Sequence, residues 1–298
     1  METVLYWERI EMCTICANRD CFFDSHSVPI RVLKPIVFNV FEQMRNGDST
    51  EKTLFEKTPI NYHYSSDIDF GVNENNEIDV SEKQCQLLWN CAYALSLCEE
   101  YYCDGQINRD IFVKRAFDLL SFEYSDSEQD GNSAYMLPNP CHYCLLESQF
   151  VERANLYYRN AIRFILYHEL SHINQNNQHS TKDIAEDENE ADVYAVKRLC
   201  KDYHMNSIPI EGVEASMLYF LLLQKGKIDG DIAHGNVMDR IRNIVEQFDG
   251  MGLLSCIKWQ VIIAIWNKLY HYEFAIPTDS SIKRLNEIVH LIKTELKY

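Results

Sequence analysis

The stretch Glu152 to Asn174, ERANLYYRNAIRFILYHELSHIN, decides the architecture. It lacks Gly and Pro, and Ala154, Tyr158, Ala161, Ile162, Ile165, Leu166 and Leu170 recur at helical spacing, which predicts one long buried helix over 152–174. A buried helix needs other layers around it, and the flanking sequence supplies them. After the polar connector NQNNQHSTKD, helical patterns cover about 187–203, 210–224, 235–247, 256–272 and 281–294. Upstream, Ser81 followed by Gln84 is a capping pattern, and Leu87, Leu88, Cys91, Leu95 and Cys98 behind it predict a helix over 82–102. A second helix is expected near 109–122, and Ser133 to Leu137 reads as a short edge strand ended by Pro138 and Pro140. The segment SDIDFGVNENNEIDV, 66–80, alternates polar and apolar about Asn73-Glu74-Asn75-Asn76 and predicts an antiparallel hairpin. Residues 1–65 mix short apolar runs such as Ile30 to Val40 with aromatics and allow only loose assignment. The fold class expected is α+β, mostly α, with a small antiparallel sheet in the N-terminal half.

Composition narrows the partners. The 298 residues are 46% hydrophobic and 24% charged with only 10 Gly and 7 Pro, which excludes disordered and collagen-like chains. A formal charge of −17 repels phosphate backbones, so no nucleic acid is expected as partner. Apolar runs such as Met217 to Leu223 and Val261 to Trp266 are far shorter than the roughly 20 residues of a membrane span, so no membrane is expected either. The opening METVLYWERIEMC places acids where an export signal is basic, and the 11 cysteines are an odd number for a secreted framework. Both observations predict a cytoplasmic protein with reduced thiols.

The buried helix carries His168-Glu169-Leu170-Ser171-His172, an H-E-x-x-H pattern. Residues four apart share a helix face, so His168 and His172 can bind one Zn²⁺, while Glu169 can take a proton from water at the metal's open position. The same residues would also suit a plain polar helix face. A carboxylate pair on the next helix favours the metal. In EDENEADVYA, Glu188 is the preferred third ligand, and Asp192, one turn on, is placed to accept the free N–H of a ligating histidine, His168 first, and fix its tautomer. Glu186 and Glu190 compete with Glu188, since runs of charge usually face solvent; only Glu188 rather than Glu190 keeps an acidic partner one turn on. Further along, His234 is a candidate donor to an oxyanion, and Arg240 a candidate to hold Asp192 or a substrate backbone.

The run Ile165 to His172, followed by Glu188-Asn189-Glu190-Ala191-Asp192 and by His234 with Arg240, resembles the Lit-type phage-exclusion peptidases. Asn75-Asn76-Glu77-Ile78 through Leu88-Trp89, and Ala134-Tyr135-Met136-Leu137, are similar to that family too, so the resemblance spans about 66–245. The site pattern is shared more distantly with HtpX-like and prenyl-protein-processing gluzincins, where E-x-x-A-D supplies the third ligand and H-x5-R follows; that pattern also favours Glu188. The resemblance implies a zincin-like core and a cytosolic zinc endopeptidase. It further implies dormancy until phage infection, a phage-encoded activator peptide, and cleavage of a host protein substrate, in the Lit case translation elongation factor Tu. The chain departs from the family in residues 1–65, in its cysteine content, and in Gly235, where relatives often carry proline. The expected organisation is an N-terminal segment 1–65 of undefined role, a zincin-like peptidase core 66–250, and a C-terminal helical extension 251–298 packed on the core.

Cys13, Cys16, Cys141 and Cys144 have the ligand count of a second, structural zinc site, but the two pairs lie far apart in the chain and read better as buried thiols. Ser133 to Leu137 is the candidate edge for pairing with an extended substrate. A regulatory peptidase similar to the ImmA/IrrE group, cutting a repressor or antitoxin, ranks lower because no basic recognition helix is visible. A non-catalytic protein stabilised by zinc is the rival from another class.

Overall fold

The structure is a computed structural model that describes residues 33–47, 52–63, 70–103, 148–177, 184–202, 210–224, 236–250 and 256–271, with isolated positions 116, 120, 287, 290 and 294. In chain order the elements are α1 (Leu33–Gly47), α2 (Lys52–Lys57), β1 (Ile60–His63), β2 (Gly71–Val72), β3 (Ile78–Ser81), α3 (Glu82–Cys103), α4 (Ser148–Asn177), α5 (Ile184–Asp202), α6 (Ile210–Leu223), α7 (Val237–Gly250) and α8 (Cys256–Leu269). This is the α+β arrangement expected, mostly helical with one small sheet in the N-terminal half.

Helix α4 sits at the centre and packs against α1, α3, α5, α6 and β2. Its sequence explains why. Tyr158, Ala161, Ile162, Phe164, Ile165, Leu166 and Leu170 are all fully buried; from Phe164 to Ser171 every position is buried, and the N-terminal half keeps an exposed stripe at Glu152, Leu156 and Arg159. Such a helix is stable only when wrapped, and α3, α5 and α6 do the wrapping. The two helices approach closely at Gly212 of α6, where a Cβ would lie 2.4 Å from Asn160 Cβ and 2.7 Å from the Ala161 nitrogen of α4. Beside it, the Ser216 hydroxyl donates to the Gly212 carbonyl at 2.9 Å, so small side chains let the two backbones meet. Between α3 and α4, the Trp89 indole N–H donates to Asn155 Oδ1 at 2.9 Å.

The predicted hairpin is present. β2 and β3 pair antiparallel with Gly71 opposite Asp79 and Val72 opposite Ile78. At its turn Asn73 Oδ1 accepts from the Asn75 and Glu77 amides at 2.9 and 3.1 Å, and Asn76 takes the left-handed conformation, φ 58°, that asparagine tolerates better than most residues. The sheet has a third strand that the sequence did not disclose: β1 joins β3 in parallel, giving the order β1-β3-β2 and a mixed sheet instead of a purely antiparallel one. β1 is only four residues, all half-buried, so it carries no alternation to read; its identity comes from its partner. Gln84, in the first turn of α3, accepts from the Phe70 amide at 2.7 Å and from the Tyr219 hydroxyl of α6, tying the start of β2 to the helical layer.

Observed helices extend or trim the expected ones by a few residues, the largest change being α4, which begins at Ser148 and ends at Asn177. The first two helices, α1 and α2, fall in the stretch that resisted assignment from sequence. Ala116 and Leu120 are helical and buried, but most of the expected helices over 109–122 and 281–294 lie outside the described residues, as do the Ser133 to Leu137 edge, Cys13, Cys16, Cys141 and Cys144. Replacing Gly212 with alanine forces α6 away from α4. The expected loss is about 1–3 kcal/mol, read as a lower midpoint in urea unfolding of the metal-free protein; an unchanged midpoint would mean that this crossing is looser than described.

Candidate metal centre

Helix α4 presents His168 and His172 on one face, as the four-residue spacing requires, with the rings 4.7 Å apart and nearly perpendicular. Glu188 comes from α5, which packs alongside. The three side chains converge: one ligand atom of each lies within 4.8 Å of the others. His172 Nε2 is 3.0 Å from His168 Nε2 and 3.1 Å from Glu188 Oε1, and His168 Nε2 is 3.4 Å from Glu188 Oε2. Of the competing acids, Glu186 and Glu190 are exposed, whereas Glu188 is buried.

The outer nitrogens fix what the inner ones are. His168 Nδ1 faces Asp192 Oδ1 at 2.9 Å, and His172 Nδ1 faces Gln175 Oε1 at 3.0 Å. Both partners are acceptors, so each Nδ1 carries the hydrogen and each Nε2 turns a lone pair inward. Two lone pairs and a carboxylate facing one another this closely repel unless a cation lies among them. In the metal-free protein a proton serves. Burial opposes a charged His168, but Glu188 and Asp192 outweigh it and hold its pKa up to about 10. The same donor set, two imidazole nitrogens and a carboxylate oxygen, suits a divalent ion.

Behind the ligands sits Arg240 of α7, 2% exposed. Its Nε and Nη2 donate to Asp192 Oδ2 and Oδ1 at 2.7 and 2.8 Å, and its Nη1 reaches Glu188 Oε2 at 2.9 Å. Its guanidinium also lies over the Phe220 ring, 4.4 Å from the centroid. Of the two roles expected for Arg240, the geometry supports holding Asp192; the guanidinium is engaged with both carboxylates. Burial raises the carboxyls of Glu188 and Asp192, yet His168 and Arg240 dominate and keep both below the usual carboxylate range. Burial likewise disfavours the charge on Arg240, and the two acids more than offset it.

Helix α7 is aimed by Asn236, whose Oδ1 accepts from the Met238 and Asp239 amides at 2.9 and 3.3 Å as an N-cap. It is locked to α5 by Asn243, which donates to Asn189 Oδ1 at 2.6 Å. Glu169, 5% exposed, lies beside the sheet: a Cβ on Gly71 of β2 would stand 4.0 Å from its Oε2. Tyr167 points away from this cluster and donates to Asp202 Oδ2 at 2.6 Å. His234 lies outside the described residues. Two neighbours escaped the sequence reading. Gln175 was visible as a residue three positions after His172, whereas Phe220 had no local signal, because it reaches the site only through the packing of α6.

The sequence matches the family described as Peptidase U49 over residues 78–257, more than half the chain and all of the centre described above. The chain belongs to this peptidase family. Comparisons with curated proteins and with solved structures find no match.

Arg240→Met would leave Glu188 and Asp192 buried with His168 as their remaining counter-charge. The expected cost is about 3–5 kcal/mol in urea unfolding of metal-free protein, with part of it recovered on adding zinc. A loss below 1 kcal/mol would mean that the guanidinium does not compensate the two acids.

Proposed function

We propose that the chain is a zinc-dependent endopeptidase of gluzincin type. The observation that carries the proposal is the convergence of His168 Nε2, His172 Nε2 and the Glu188 carboxylate, with Glu169 adjacent to the first ligand. His168, His172 and Glu188 would hold the ion with three protein donors, the ligand count of catalytic rather than structural sites. A bound Zn²⁺ supplies the Lewis acidity that lets water lose a proton near neutral pH.

The chain's own residues do the remaining work. Glu169 accepts the proton from the attacking water and delivers it to the leaving amine. Asp192 keeps His168 in the tautomer that offers Nε2, and Arg240 holds Asp192 and Glu188 in place. His234, assigned from the sequence alone, donates to the oxyanion that forms as the peptide carbonyl is attacked. Membership of a peptidase family supports peptide-bond hydrolysis as the reaction.

The resemblance to Lit-type phage-exclusion peptidases extends the proposal to a setting. The substrate is a host protein, with translation elongation factor Tu the first to test, and a phage-encoded peptide switches the enzyme on in the cytoplasm. Among the described residues no helix is long and apolar enough to cross a membrane, which is compatible with that setting.

Glu169→Gln is expected to retain one zinc per chain and to lose cleavage of elongation factor Tu by a factor of roughly 10²–10⁴. Elemental mass spectrometry and a gel assay with extract from phage-infected cells measure the two. A variant that holds zinc and still cleaves at the parental rate removes Glu169 as the base; a parent that takes up no zinc removes the metallopeptidase.

A further inference from the structure

Each inward-facing imidazole needs its outer N–H held, and the two histidines are held differently. His168 is 2% exposed and leans on Asp192, which Arg240 clamps from two sides. The His172 side chain is 20% exposed, and α4 ends at Asn177, one turn beyond it. Its ring is therefore the ligand that packing secures least. Its outer nitrogen is held by Gln175, three residues on and on the same helix face.

The Gln175 amide has a second contact. Nε2 donates to the backbone carbonyl of Asp187 at 3.3 Å, and Asp187 immediately precedes Glu188 on α5. A carbonyl can only accept, so the NH₂ end must face Asp187 and the oxygen must face His172. The amide orientation thus dictates the Nδ1–H tautomer of His172. One planar group, with an acceptor at one corner and a donor at the other, links the second ligand to the backbone beside the third. Glutamate could supply only the acceptor, and methionine or alanine neither.

We infer that Gln175 is a positioning residue of the metal centre, setting the tautomer of His172 and the approach of Glu188 through a single carboxamide. The inference rests on the metallopeptidase reading above. It assigns Gln175 no contact with substrate.

The test uses the full chain and its Gln175→Ala, Gln175→Met and Gln175→Glu variants. Zinc affinity is measured by competition with a chromophoric chelator, metal-free stability by thermal melting, and the His172 Nδ1–H by NMR of zinc-loaded, ¹⁵N-histidine-labelled protein. Parent protein is expected to bind one zinc and show a slowly exchanging Nδ1–H on His172. Ala and Met variants are expected to bind zinc about 10–100-fold more weakly and to lose that slow exchange, with little change in metal-free melting. Glu at 175 restores the acceptor and should recover the slow exchange and part of the affinity. Testing both Ala and Met guards against a fold lost to side-chain shape alone. If both bind zinc as the parent does and keep the protected proton, the inference is wrong while the metal centre stands. If the parent itself binds no zinc, the metallopeptidase reading fails, and the role of Gln175 falls with it.

Discussion

Everything around the centre depends on compensating buried negative charge. Glu169, Glu188 and Asp192 are each at most 5% exposed, and the guanidinium of Arg240 and the imidazole of His168 each reach both Glu188 and Asp192. Leaving carboxylates in an apolar interior without partners costs several kcal/mol each, so such an arrangement persists only when cations and N–H groups surround it. Arg240 supplies one positive charge, and the space between the two Nε2 atoms and Glu188 supplies a place for another.

That constraint explains the architecture of the helical layer. Arg240 must arrive from a separate element, because α4 and α5 already spend their facing positions on ligands and on Asp192. Helix α7 brings it in, started by the Asn236 cap and locked to α5 through Asn243 and Asn189. Phe220 of α6 closes the apolar side, stacked on the guanidinium and 6.3 Å from the His168 ring. The close contact at Gly212 sets how near α6 can come to α4, and therefore how well Phe220 seals the cluster. On the opposite side the small sheet, tied to α3 and α6 through Gln84, brings Gly71 beside Glu169.

Much of this was legible one element at a time. The long helix through His168, the hairpin about Asn73 to Asn76 and the α-rich C-terminal half all have periodicity or turn chemistry strong enough to read locally. β1 did not, because a four-residue strand of half-buried positions acquires meaning only by pairing with β3. Leu33 to Lys57 hid two helices behind a mixture of aromatics and polar residues, where the apolar period of α1, Leu33, Val37, Val40, Phe41 and Met44, emerges only once the burial is known. At the centre, spacing alone places His168 with His172 and Glu188 with Asp192, since each pair lies one turn apart on its own helix.

The sequence by itself determined which side chains share a helix face, because an α-helix repeats every 3.6 residues whatever surrounds it. It could not determine how helices face one another. That Glu188, and neither Glu186 nor Glu190, meets the histidines depends on the rotation of α5 against α4. That Arg240 bridges two carboxylates depends on the angle of α7, and that one amide at Gln175 joins His172 to the backbone before Glu188 depends on where α5 begins. These are relations between elements distant in sequence, set by the packing of side chains around a buried helix, and only the tertiary structure decides them.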